Sequence, residues 1–393
     1  MSPPGSPPTI ASPANVAGGR AGLVGFLIGS AGMFAVMYST QAILPTLGRD
    51  FDVTPAEAGL TISVVVLALA LSAPVWGPLS DRIGRKRSLV LASALLVLPT
   101  IGAGLAPTFE ALLVFRVLQG LCMPGLLTVG VPYVAEVFSP ELRGRAMGYY
   151  MSALVAGGLT GRIGVALITD VVGWRWAIGG LAILPLASSV ILHRSLPDLS
   201  RPERAEGSGL LRQVTNPRVL RAAVVGSAFF FVFVGTFSYV TYRLERSPFG
   251  YGTVAASAVF GLWILGFTTP IVGRVVDRVG WKAVAGGSAA LCAAGLLITL
   301  PAQIVGVVVG LAAVALGNFA GVMAAQIGVS EASKVDRGAA SAVFFSLYYG
   351  SGALGGYLPG LAWQAWHWNG IALVGLGALS VGAMALAAGR ARR

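Results

Sequence analysis

The chain has 393 residues, 55% of them hydrophobic and 11% charged, with a mean hydropathy of +0.80. Soluble domains carry about 25% charged residues, so a soluble globular protein is excluded and a membrane protein is indicated. Only two cysteines are present, Cys122 and Cys292, both inside apolar runs, which excludes a disulfide-framed secreted scaffold. The net charge of +12 sits in short basic clusters between apolar runs, the pattern of cytoplasmic loops and not of a nucleic-acid surface.

Residues 1–21 are rich in Pro and Ser and are expected to be a disordered tail. A helix crossing about 30 Å of hydrocarbon needs about 20 residues. Stretches of that length without Asp, Glu, Lys or Arg cover 21–48, 58–80, 88–109, 222–242 and 247–273. Arg116 alone interrupts 111–135, Arg162 alone interrupts 146–169, and 176–193 is a short sixth span. The runs 283–330 and 338–389 are each long enough for two helices, with turns expected near Pro301-Ala302-Gln303 and Trp366-His367-Trp368-Asn369. The fold class expected is therefore an all-α membrane protein of twelve transmembrane helices. The segments lack the alternation of barrel strands.

The polar segment 193–221 lies near the midpoint and reads as a linker between six-helix bundles at 22–192 and 222–388, with 389–393 a basic tail. If both termini are cytoplasmic, 21 Lys and Arg fall inside and four outside, which is the orientation the positive-inside rule favours. Landmarks recur between the halves: Gly77, Asp81, Gly84 and Lys86 return as Gly273, Asp277, Gly280 and Lys282 at an offset of 196. Glu136 returns as Glu331, Arg143 as Arg337, and Gly158, Gly161 and Trp174 as Gly352, Gly355 and Trp368, at offsets of 194 or 195. Such recurrence marks an architecture of two duplicated halves.

The loop Gly77-Pro78-Leu79-Ser80-Asp81-Arg82-Ile83-Gly84-Arg85-Lys86-Arg87 resembles the signature between helices 2 and 3 of the major facilitator superfamily, echoed by Gly273-Arg274-Val275-Val276-Asp277-Arg278-Val279-Gly280. Arg116-Val117-Leu118-Gln119-Gly120 is similar to a motif of proton-coupled members, and the fit extends over 22–388. The branch most resembled is the twelve-helix bacterial multidrug and sugar efflux permeases. Their glycine-rich fifth helix is matched by Gly157-Gly158-Leu159-Thr160-Gly161-Arg162, although an arginine stands where Gly-Pro is usual. The resemblance implies two pseudo-symmetric six-helix bundles, alternating access, a monomer in the bacterial cytoplasmic membrane, and proton-coupled efflux without a cofactor. It also implies a gate in which Asp81, with Arg82, Arg85 and Lys86 around it, latches the cytoplasmic side, with Asp277 and Arg278 as a weaker copy. Glu136 with Arg143 and Glu331 with Arg337 are expected to be paired loop charges of the same gate.

Arg116 and Arg162 are the only ionisable residues deep in the spans. A central arginine costs at least about 2.5 kcal/mol, so each is expected to face a wet cavity or a partner. Substrate or proton coupling and helix packing are both open to them. No Asp or Glu lies at mid-membrane; Asp50, Asp52, Glu57, Glu110, Asp170 and Glu245 are peripheral. Two arginines without an acid favour neutral or anionic solutes over cations. Tyr38, Gln41, Gln119, Thr236, Tyr239, Tyr242, Trp263, Tyr348 and Tyr349 are candidate cavity residues. Trp174, Trp176, Trp366 and Trp368 are expected to be interfacial anchors. Gly157-x-x-x-Gly161 and Gly352-x-x-x-Gly356 are close-packing motifs. An enzyme would need a metal-ligand or nucleophile constellation, but the only histidines are His193 and His367, and no phosphate-binding loop is present. An exchanger or importer of small anions, or a non-transporting sensor, are the alternatives.

Overall fold

The computed structural model describes residues 14–137, 140–196, 209–333 and 337–388, with the backbone alone at 14–20, 131, 132, 135–137, 140–144, 209–211 and 337. The described residues are helical, with no strand among them. Ten spans follow in order: α1 (Ala21–Phe51), α2 (Pro55–Ile83), α3 (Arg85–Gly104), α4 (Phe109–Gly130), α5 (Arg145–Val172), α6 (Trp174–Ser195), α7 (Pro217–Glu245), α8 (Thr253–Val279), α9 (Trp281–Ile298) and α10 (Ile304–Ala332). The last apolar stretch, Gly338–Ala387, has 50 residues and breaks at His367, where φ is 47° and ψ is −133°. It is thus two spans, α11 (338–366) and α12 (368–387), divided at the turn expected from the sequence.

Local chemistry explains the boundaries. The Thr54 hydroxyl accepts from the Glu57 N–H while the Glu57 carboxylate accepts from the Thr54 N–H, a capping box that starts α2 with Pro55 in its first turn. Gly84 and Gly280 end α2 and α8 at φ of 93° and 83° with the same ψ of 152°. Side chains strain in that region, so the repeat preserves a backbone turn and not only a sequence pattern. α1 is broken: it turns at Ser39 and Thr40, makes one 3-10 turn over Gln41–Ile43, and resumes at Leu44.

Some boundaries differ from expectation. Helix begins at Ala14, inside the stretch expected to be a disordered tail, whereas residues 1–13 lie outside the described residues. α7 begins at Pro217 with Asn216 as its cap, and a short helix, Gly209–Val214, precedes it. Much of the linker is therefore helical; 197–208 and the tail 389–393 lie outside the described residues. Trp176 and Trp366 are exposed like interfacial anchors, but Trp174 and Trp368 are buried. Their indole N–H groups donate to Asp50 (3.0 Å) and to the Thr299 hydroxyl (2.8 Å). These two form structural bonds at corresponding places in the halves.

The helix ends carrying 82–87 and 274–282 form a basic end of the molecule; the opposite end carries Arg49, Asp50 and Glu245. Three hydrogen bonds join the halves at this far end: Gln41 Nε2 to Ser238 Oγ (2.9 Å), Tyr242 Oη to the Leu44 carbonyl (3.0 Å) and Arg49 to Glu245 (2.8 Å). The partners are separated by 197, 198 and 196 residues, the period of the repeat. α1 and α7 thus touch through equivalent positions, as they must beside a pseudo-two-fold axis.

Candidate functional site

Arg162 is wholly buried between the halves. Its Nε donates to Gln41 Oε1 at 2.6 Å and its Nη1 to the Gly158 carbonyl one turn back. Gln41 continues the chain to Ser238 in the other half. The guanidinium is covered by the Tyr38 ring at 3.9 Å and the Trp263 ring at 3.8 Å, with Phe260 at 5.3 Å, a desolvated cation–π arrangement. Gly158 admits this stack, because a Cβ there would lie 2.9 Å from the Trp263 ring. α8 contributes its rings through an unusual backbone: Ala258–Thr268 is a 3-10 helix of 11 residues. At three residues per turn, Phe260, Trp263 and Gly266 fall in line on one face. Arg162 Nη2 and Trp263 Nε1 are buried without a hydrogen-bond partner.

Arg116 is built differently. Its Nε donates to the Thr61 carbonyl (2.8 Å), its Nη1 to the Val36 carbonyl (2.7 Å) and Gln119 Oε1 (2.8 Å), and its Nη2 to the Met37 carbonyl. The break in α1 shifts the Val36 carbonyl to the Ser39 N–H (3.3 Å) and hydroxyl (2.9 Å), and Arg116 adds donors to the Val36 and Met37 carbonyls. Non-helical backbone at membrane depth must be satisfied from neighbouring groups, and Arg116 does this. Gln119 extends the tie to α3 through Pro99 and Thr100. Of the two placements open to it, Arg116 takes the partner and not the wet cavity.

No carboxylate meets either arginine among the described residues. Asp50 is held by Arg175 and Trp174, Glu245 by Arg49 and Thr253, and Glu57 by its capping box.

At the basic end, Asp81 pairs with Arg85 of its own loop at 2.7 Å, and Arg85 also donates to Ser80. A Cβ at Gly77 or Gly84 would meet nothing within 4 Å. Open space therefore surrounds the backbone at these two glycines. In the second copy, Trp281 occupies the position of Arg85, and Asp277 has no ion pair among the described residues. Arg82, Lys86 and Arg278 lie on the same loops, and Glu331 is exposed. The side chains of Glu136, Arg143 and Arg337 lie outside the described residues.

Several candidates are placed away from Arg162. Tyr239 donates its hydroxyl to the Gly356 carbonyl at 2.7 Å, in the tight crossing of α2 and α11, and so is a packing group at the far end instead of a cavity residue. Tyr348 stacks on Phe230 at 3.9 Å. Gly157 and Gly161 press against Ala31 and Ala35 of α1, a close packing within one half. Gly352 packs on Phe230 in its own half, whereas Gly356 meets Ser63 and Gly59 of α2 across the interface.

The sequence reading missed Arg243. It is 8% exposed, caps the Leu300 and Pro301 carbonyls at 3.0 and 2.9 Å, and lies 4.8 Å from the Trp368 ring centroid. Its place two residues before the end of α7 made it look like a loop charge; its equivalence to Arg49 at an offset of 194 was the available signal.

Residues 26–356 match the family model described as Major Facilitator Superfamily. The chain is 32% identical over 355 residues to the inner membrane transport protein YnfM of Escherichia coli, covering 87% of this chain and 84% of that one. It is 29% identical over 345 residues to the MFS-type transporter YybF of Bacillus subtilis, covering 86% and 85%. The fold is similar to the inward-facing, unoccupied crystal structure of a bacterial homologue of the human lysosomal transporter Spinster, with a TM-score of 0.77 at 16% identity over 96% of each chain. Twelve apolar spans in two repeated halves, the duplicated glycine-ended loop and the match over most of the chain agree: the protein belongs to the Major Facilitator Superfamily and is a multi-pass membrane transporter.

Proposed function

We propose that the protein carries a small solute out of the cytoplasm by alternating access, driven by the proton gradient, with both termini on the cytoplasmic side of the bacterial inner membrane. It works as a monomer in the bilayer, without a cofactor and without binding nucleic acid. The observation that carries the reading is the asymmetry of the interface between the halves. They are fastened at the far end by Gln41, Tyr242 and Arg49, while at the basic end the Asp81 carboxylate pairs with the neighbouring Arg85 and open space surrounds Gly77 and Gly84. With the basic end inside, by the Lys and Arg asymmetry, this is an inward-facing state. Asp81 is then a latch that engages in the opposite state. Efflux rests on the resemblance of the signature loop and glycine-rich fifth helix to efflux permeases. The test is counterflow and uphill transport of a panel of dyes, sugars and organic acids in proteoliposomes with an imposed pH gradient. Accumulation that collapses with a protonophore supports proton coupling, and binding without any exchange overturns transport.

A second reading, exchange or import of small anions, is favoured by one observation. The buried Arg162 has no carboxylate partner among the described residues and a nitrogen without an acceptor. Exchange would proceed without a pH gradient, given only a counter-substrate.

A further inference from the structure

We propose that the substrates are monocarboxylates borne on a flat, unsaturated body, and that Arg162 Nη2 with the Trp263 indole N–H receives the carboxylate. The inference rests on the transport reading above, and it names the solute class. Two donors are buried without acceptors, one a cation, and they belong to side chains in face-to-ring contact. Buried donors are normally satisfied, and each unmatched one is a cost that an acceptor would relieve. The missing partner is therefore acceptor-rich and negative. No Asp or Glu of the chain supplies it among the described residues, so the solute is the group left to do so.

The geometry narrows the class further. The Tyr38 and Trp263 rings flank the guanidinium on adjacent sides, their centroids 5.3 Å apart, and Nε and Nη1 already donate to Gln41 and Gly158. Nη2 is the nitrogen left to donate, which suits one carboxylate. A dianion such as a phosphate monoester would bring a second charge into a ring-lined space with no second cation. Rings continue from the arginine towards the basic end. Phe34 lies 5.9 Å from Tyr38, Phe233 lies 5.2 Å from Trp263, Phe319 lies 5.7 Å from Phe233, and Tyr348 stacks on Phe230 one turn along α7. Phe34, Phe319 and Tyr348 remain partly exposed. A flat apolar body fits such a wall, since ring contacts favour offset and edge-on stacking. Arg162 is also tied through Gln41 to Ser238, so a solute that draws the guanidinium towards itself loosens the far-end fastening. Binding is thereby coupled to the opening that would release the solute outside.

The test is equilibrium binding to the purified protein in lipid nanodiscs, with trans-cinnamate, its neutral amide cinnamamide, and phenyl phosphate as probes. The expected result is cinnamate at least about tenfold tighter than cinnamamide and phenyl phosphate weaker than either. In a folded Arg162→Gln protein the acid-to-amide preference should vanish, with cinnamate losing more affinity than cinnamamide. In Trp263→Phe, which keeps a ring and removes the N–H, cinnamate should weaken several-fold. The comparison of acid with amide in the unsubstituted protein stands even if Arg162→Gln fails to fold. Equal binding of acid and amide, binding of neither, preference for the phosphate, or an acid preference retained by Arg162→Gln would each overturn the proposal. Counterflow keeps the two readings apart. Cinnamate that binds with the expected preference but is not exchanged defeats transport and leaves the site standing, whereas transport of other solutes without acid preference defeats the site alone.

Discussion

Replacing Gly59 with alanine should open the far end of the transporter without unfolding it. A Cβ at Gly59 of α2 would overlap the Gly356 carbonyl oxygen of α11 and the Tyr239 hydroxyl. Neither can yield cheaply: the hydroxyl is bonded to that same carbonyl at 2.7 Å, and the crossing is held tight nearby, where a Cβ at Gly356 would lie 2.5 Å from Ser63 Oγ. Carbon and oxygen atoms in close contact sit at about 3.3–3.6 Å, so the helices must separate by roughly 1 Å. Overpacking of this kind costs about 1–3 kcal/mol. Alternating access requires α2 and α11 to part at this end in the outward-facing state, so the cost falls on one state alone. The equilibrium should shift about 5- to 150-fold towards the state open at the far end. Spin labels on Trp176→Cys and Val305→Cys, in a background with Cys122→Ser and Cys292→Ala, place one probe on each half at that end. Their distance distribution should lengthen in Gly59→Ala, with transport reduced and the melting temperature little changed. Gly164→Ala, where a Cβ meets nothing within 4 Å, is the control and should leave all three readouts alone. An unchanged distance distribution with full transport in Gly59→Ala would show that this crossing is not the far-end seal.

Asp81→Asn should assemble normally yet lose most transport, because the ion pair its carboxylate makes among the described residues is with the neighbouring Arg85 and the charge is needed in the other state; full uptake and efflux rates would remove the latch. Asp277→Asn should be milder in the same assay, since Trp281 stands where Arg85 surrounds the first copy. Arg116→Gln should chiefly lower the melting temperature and yield, because it removes the donors that tie the Val36 and Met37 carbonyls of α1 to Thr61 of α2, and a buried acceptor left without a partner costs about 1–3 kcal/mol. A normal melting temperature with abolished transport would reassign Arg116 from packing to coupling. Uphill efflux should collapse when a protonophore is added to energised vesicles, and persistence would point to exchange.

The spans were legible because hydrocarbon excludes charge, and a run of uncharged residues records that exclusion directly. The division of the last 50 apolar residues was legible for a related reason: a chain that must recross needs a turn, and Trp366-His367-Trp368-Asn369 was the polar place for one. The breaks inside α1 and α8 were not. Ser39, Thr40 and the run Ala258–Thr268 have ordinary membrane composition, and what distinguishes them lies on their neighbours: Arg116 donates to carbonyls at the first break, and Arg162 lies against rings carried by the second. The two arginines looked alike in sequence because hydropathy registers their cost and not their partners. Only the fold separates the one with an acceptor for every nitrogen from the one without. Tyr239 was misplaced for the same reason, since one aromatic residue on a membrane helix gives no sign of the helix it will cross.

The repeat then explains why a single site should lie on one side of the axis. By the offset of 194, Arg162 of α5 is equivalent to Gly356 of α11. One seam between the halves, α2 against α11, is closed by backbone on backbone where Gly59 meets Gly356. The equivalent seam, α5 against α8, has an arginine at that place and two rings around it. A glycine crossing gives close, apolar packing that can part and re-form with no charge to desolvate. An arginine in the same position cannot be neutral to the solute, because its charge is either solvated, paired or held at a cost. The two halves thus carry two related seams that differ at this position and in the residues facing it: on the proposed reading, α2 and α11 seal, while α5 and α8 seal and recognise. A Gly356→Arg exchange would therefore not create a second site, since α2 offers Ser63 and Gly59 where α8 offers Phe260 and Trp263, and the new charge would have no ring to cover it.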